Sequence, residues 1–110
     1  MKDARGYTLK RNYDGGSEFL KHEYIVDGCN IEGEPGQGCW TIEDTDYART
    51  RKEAMQSMRK FCKKYDKATI YDQWVEADID QYGYTDCGST IDQTIEDYID
   101  GKLVRKSGMF

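Results

Sequence analysis

The chain has 110 residues, 37% of them hydrophobic and 34% charged, with nine Tyr, two Trp and a formal net charge of −5. That length supports one compact domain over residues 1–110, and the aromatic content excludes a disordered chain. No run reaches the roughly 18–20 consecutive apolar residues of a membrane span, and the N-terminus MKDARGYTLKRNYD lacks the apolar segment of a secretion signal, so a cytoplasmic protein is expected.

In chain order, GYTLKRNYD places Tyr7, Leu9, Arg11 and Tyr13 on one alternating face. The turn signal DGGS and the β-forming EFLKHEYIVD follow, a β-hairpin pattern. The next twelve residues, GCNIEGEPGQGC, contain four Gly and the only Pro, and are expected to form an irregular loop, a candidate partner contact. CWTIED then reads as a short third strand with Trp40 and Ile42 on one face.

A helix is predicted from Thr50, because Thr50 and Glu53 form a capping box and Ala54, Met58, Phe61, Cys62 and Tyr65 recur with helical period. KATIYDQWVEADID reads as a long strand, because Tyr71, Val75, Ala77 and Ile79 share one alternating face with Gln73, with a helix through DQWVEADI as the alternative. STIDQTIEDYIDG carries Ser89 or Thr90 as N-cap, the stripe Ile91, Ile95, Tyr98 and Ile99, and Gly101 as a left-handed C-cap, and so predicts a second helix. The expected class is α+β: a small antiparallel sheet of three to four strands with two helices, in the order β-β-β-α-β-α.

Charge is sorted into blocks. Residues 31–48 carry five acids and no base, 49–67 eight bases and two acids, and 69–101 nine acids and no base; Lys102, Arg105 and Lys106 follow. Such sorting means either intramolecular pairing between blocks or separate patches that steer different partners. Cys29, Cys39, Cys62 and Cys87 contain no CxxC pair, so free thiols are expected in a reducing compartment; Cys29–Cys39 is the pair best placed for a disulfide.

The stretch VEADIDQYGYTD resembles a calcium loop only in part. Asp78, Asp80, Tyr82 and Gly83 fall at positions 1, 3, 5 and 6, but Tyr82 lacks the acceptor that position 5 needs and Ser89 stands where a bidentate Glu belongs. His22 is the only histidine, from which neither a His-assisted nucleophile nor a multi-His metal site within one chain is expected. The loop EGEPGQG lacks the Lys and Ser/Thr of a phosphate loop. No catalytic residue, metal ligand or cofactor is therefore assigned, and a non-enzymatic protein is expected.

Two surfaces remain as candidates. The first is acidic and aromatic: Asp72, Trp74, Glu76, Asp78, Asp80, Tyr82, Tyr84 and Asp86, in which carboxylates would steer a basic partner and rings would anchor it. The alternative is the basic helix face, Lys52, Arg59, Lys60, Lys63 and Lys67, which could track nucleic-acid phosphates. In general character, short, acidic, aromatic-rich and without catalytic motifs, the chain resembles the small accessory proteins of phages and mobile elements, including anti-restriction and anti-CRISPR inhibitors. That resemblance is compositional and carries no site residue across. It implies an acidic inhibitor, DNA-mimic-like, that binds a basic nucleic-acid-handling protein, with direct nucleic-acid binding the lesser expectation and no membrane contact.

Overall fold

The computed structural model describes residues 1–32 and 39–108. Six strands form one antiparallel sheet: β1 (Thr8–Arg11), β2 (Phe19–Glu32), β3 (Cys39–Ala48), β4 (Lys67–Ile79), β5 (Thr85–Ile99) and β6 (Lys102–Gly108). One helix, α1 (Arg51–Lys64), lies between β3 and β4. The fourteen-residue β2 organises the sheet. One of its sides pairs with β4 along Phe19–Cys29; the other pairs with β1 through Phe19–His22 and with β3 through Tyr24–Glu32. Across the rest of the sheet the order is β2-β4-β5-β6, and the molecule extends 49 × 24 × 19 Å.

Alternation along β2 assigns its two faces to different cores. Tyr24 and Val26 point toward α1 and pack with Ala48, Ala68, Ile70 and Tyr98 against Ala54, Met58 and Phe61. Phe61, Met58, Ile70 and Val26 are fully buried, each contributing about 1.5–3 kcal/mol by removal from water. The helix starts at its capping box: the Thr50 hydroxyl accepts from the Glu53 N–H at 3.2 Å, satisfying one of the free donors of the first turn. Gly28 lets the helix approach β2, because a Cβ there would overlap the Tyr65 ring and stand 3.0 Å from Phe61.

On the opposite face Leu9, Phe19, Val75 and Ala77 are buried without a helix above them. The segment before β1 closes that end. Asp3 accepts from the Arg5 and Tyr7 N–H groups at 2.9 Å each and from the Thr85 hydroxyl at 3.0 Å, while the Ala4 N–H donates to the Gly83 carbonyl at 2.8 Å. The segment leading into the edge strand β1 is thereby tied to the β4–β5 connection and the start of β5.

Two sequence expectations are corrected. Among the described residues the sheet has six strands rather than three or four, and there is one helix rather than two, in the order β-β-β-α-β-β-β. The segment 89–99 is part of strand β5. Its Ile91, Ile95, Tyr98 and Ile99 satisfy helical spacing, but Thr90, Ile91, Thr94, Ile95 and Ile99 are β-branched, and pairing with β4 and β6 on both sides fixes an extended chain. Gly101, read as a left-handed helix C-cap, instead forms a hairpin turn with Asp100: both residues have positive φ, 53° and 78°, as a two-residue loop between twisted strands requires. The third strand also runs further than CWTIED, to Ala48.

The loop EGEPGQG lies, apart from Glu32, outside the described residues, as does the Cys39 side chain. Cys29 is a free thiol, and across the ladder it faces Ile42. Among the described residues no helix is long and apolar enough to cross a membrane.

Candidate functional site

Strand β4 carries the first half of the acidic-aromatic stretch, and its period of two puts Asp72, Trp74, Glu76 and Asp78 on one face, successive residues about 6.6 Å apart. This is the face that α1 covers farther along, over Ala68 and Ile70. The four residues do not act alike. Asp72 sits 2.5 Å from His22 Nε2 on β2, and the His22 ring stacks on Trp74 with centroids 4.6 Å apart and planes 14° apart. The Lys10 ammonium lies 4.1 Å from the Trp74 ring centre on the other flank of this cluster. Asp72 and Trp74 therefore hold β1, β2 and β4 in register, and the lone histidine is a structural partner of a carboxylate.

Asp80 is likewise engaged within the chain. Its Oδ1 accepts from the Tyr82 N–H at 2.8 Å and the Tyr84 N–H at 3.0 Å, shaping a turn in which Gly83 takes φ +86°. The carboxylate that would have been a calcium ligand is the acceptor that closes the β4–β5 connection. Among the described residues, no three His, Cys, Asp or Glu side chains gather closely enough to hold a metal ion.

Glu76, Asp78 and Asp86 remain, and the fold brings them together. Asp78 stands directly across the ladder from Asp86, so two carboxylates occupy one cross-strand pair. Glu76 lies against the β1–β2 turn, where a Cβ on Gly16 would meet its carboxylate at 3.1 Å, and next to Gly88. The turn also lies against Asp78, whose Oδ1 accepts from the backbone N–H of Glu18 at 2.9 Å. Among the described residues Glu76, Asp78 and Asp86 have no ion-pair partner; Glu18 has an exposed one, Arg11, at 3.4 Å. Tyr82, 73% exposed, and Tyr84, 45% exposed, project from the adjoining turn, with the Arg5 guanidinium 5.4 Å over the Tyr84 ring. One end of the molecule is thus a carboxylate cluster bordered by two tyrosines. The Glu18 backbone contact escapes sequence reasoning because Glu18 lies 60 residues from Asp78 and nothing local links them.

The basic face is partly consumed inside the chain. Lys60 pairs with Asp46 at 2.8 Å, and that hydrogen bond holds the Asp46 carboxyl below its usual range. Lys67 does not belong to the helix: it opens β4, with its ammonium 3.9 Å from Asp97 and 4.1 Å from the Trp40 ring centre. Arg51, which no sequence pattern singled out, pairs with the buried Glu96 at 2.6 Å and donates to the Tyr98 hydroxyl at 3.1 Å; the Tyr98 hydroxyl in turn donates to Glu96 at 3.0 Å. Burial, then the neighbouring Glu96 carboxylate, pushes the Tyr98 phenol up. Lys52, Arg59 and Lys63 stay exposed, but Arg59 and Lys63 share their cleft with Asp100. The basic helix and the acidic strands are in good part each other's counter-ions.

On the helix-free face a polar ladder crosses three strands: Gln93 donates to Gln73 at 2.8 Å and Gln73 to Glu23 at 2.7 Å, with Lys21 3.8 Å from Glu23. Each group in that ladder is satisfied by a neighbour, as burial of polar atoms demands. It holds strands together and offers no free acid or base.

No family model, curated protein or solved structure matches this chain.

Proposed function

We propose that this chain is a non-enzymatic, cytoplasmic binding module that docks a basic, nucleic-acid-handling protein through the cluster Glu76, Asp78 and Asp86, with Tyr82 and Tyr84 as contact rings. The observation that carries this reading is the Asp78–Asp86 cross-strand pair. Like charges placed directly opposite destabilise a sheet, so this pair works against the fold that holds it, whereas a cationic partner would turn the same repulsion into binding energy. Carboxylates repeating along one strand face also offer a phosphate-binding groove a regular line of negative charge, the property of an acidic inhibitor that takes the place of nucleic acid.

The test is fluorescence anisotropy with a labelled oligo-arginine peptide across a salt series. The wild-type chain should bind with steep salt dependence, and Glu76→Gln, Asp78→Asn and Asp86→Asn together should weaken binding about tenfold or more. A control of equal net charge, Glu32→Gln, Glu43→Gln and Asp100→Asn, should bind like wild type. Equal losses in both triples would refute a localised site. A labelled DNA duplex that binds at low salt, and is lost on Arg59→Gln with Lys63→Gln, would replace this reading with phosphate contact through α1.

A further inference from the structure

Two edge strands at opposite sides of the sheet, β3 and β6, have an unpaired side among the described residues and carry opposite charge; β1, with Lys10 and Arg11, shares the β3 side farther along β2. Strand β3 presents Glu43, Asp44 and Asp46 and no cation of its own, and β6 presents Lys102, Arg105 and Lys106 and no acid of its own. Asp46 is paired with Lys60 and Lys106 with Glu96, so Glu43 and Asp44 on one edge and Lys102 and Arg105 on the other are the charges not used in ion pairs among the described residues. Exposed apolar side chains accompany each: Ile42 and Tyr47 on β3, Leu103 and Val104 on β6, between 50% and 66% exposed. An open strand edge is a template for another strand, and proteins usually guard it with charge, a bulge or a covering element. Here the charges guard selectively. A β3 edge repels a second β3 and a β6 edge repels a second β6, but the mixed pair is attractive.

We infer that copies of this chain associate head to tail, the β3 edge of one molecule pairing with the β6 edge of the next to continue the sheet. Such a contact is heterologous: each molecule keeps one β3 edge and one β6 edge free, so assembly propagates into open chains instead of stopping at a dimer. Register breaks set its strength. The extra residue Glu43 interrupts the β2–β3 ladder and Val104 the β5–β6 ladder, leaving Cys39–Ile42 and Asp44–Ala48 on β3 and Arg105–Gly108 on β6 as the regular runs available for pairing. Pairing of four or five residues makes the association weak and reversible, and its charge makes it salt-sensitive.

The experiment is sedimentation velocity at low salt over a wide range of protein concentration. It compares wild type with two variants whose substituted side chains have no hydrogen-bond or ion-pair partner among the described residues. Glu43→Lys with Tyr47→Lys neutralises and roughens the β3 edge; Lys102→Glu with Val104→Glu does the same to β6. Wild type should shift to larger species with concentration and return to monomer at high salt. Each variant alone should self-associate about tenfold or more weakly while keeping the wild-type circular dichroism spectrum. Mixed together, the two variants should form a 1:1 complex that grows no further, because each supplies the edge the other lacks. Wild type that stays monomeric at millimolar concentration would overturn the inference. So would a variant that assembles like wild type, or folded variants that form no complex when mixed. Oligo-arginine binding at the acidic end is independent of either result.

Discussion

Replacing Asp86 with Asn separates the cost of the acidic cluster from its use. Asp86 and Asp78 are a directly opposed pair on antiparallel strands, which places their Cα atoms about 4.5–5.5 Å apart and their carboxylates at a similar distance. At about 5 Å, Coulomb repulsion is ~0.8 kcal/mol in bulk-water permittivity and ~3 kcal/mol at an effective permittivity near 20. Both residues are exposed, so the lower value governs. Asn keeps the shape of Asp, and Asp86 makes no side-chain hydrogen bond that the change would remove among the described residues. The expected outcome is therefore a gain of about 0.5–1 kcal/mol in folding stability at low ionic strength. Urea denaturation at neutral pH would register it as a higher midpoint with unchanged slope. The gain should shrink as salt screens the pair, since the Debye length falls from about 30 Å at 0.01 M to about 3 Å at 1 M. In parallel, oligo-arginine binding should weaken. A destabilised Asp86→Asn protein, or a gain indifferent to salt, would refute the idea that this pair is held against the fold's own interest.

Other outcomes follow from the same structure. Phe61→Ala empties a fully buried site beneath α1 and should cost about 3–5 kcal/mol in denaturant unfolding, whereas Gly28→Ala should cost about 1–3 kcal/mol by pushing the Tyr65 ring off β2. The Asp46 carboxyl, held low by Lys60, contributes stability that is present above the ordinary carboxylate range and lost as pH falls through its depressed value. Asp46→Asn should therefore be less stable than wild type at neutral pH and converge with it in acid, as followed by thermal melts across pH. Cys87 is exposed, whereas Cys29 is buried and its thiol is pushed up by desolvation, with Lys67 opposing weakly. Alkylation followed by peptide mass analysis should modify Cys87 in the native protein and Cys29 only after unfolding.

Some of the structure was legible one residue type at a time. The Thr50–Glu53 capping box and the apolar stripe of Ala54, Met58 and Phe61 located α1, because a helix closes its hydrogen bonds within itself and its period is set by neighbours three and four residues away. The alternation of Tyr71, Gln73, Val75 and Ala77 marked β4 for the same local reason. The failed calcium pattern was also readable, since a missing ligand type is a property of the sequence alone.

What misled was equally physical. The spacing Ile91, Ile95, Tyr98 and Ile99 is that of a helix, whereas in the strand Tyr98 is buried and Ile99 points to the other face and is exposed; only the ladders to β4 and β6 override the pattern, because the partners of an extended chain lie on other segments. The eight residues singled out as one acidic surface divided for a related reason. The sequence by itself determined the charge blocks, the capped helix and the absence of ligand patterns, all of which depend on residue type and near neighbours. Tertiary structure decided which carboxylates were consumed, Asp72 by His22 and Asp80 by its own turn, and which were left facing solvent. It also set the Glu18 backbone of a distant turn against Asp78, because strand register, unlike helical period, is set by segments far apart in the chain.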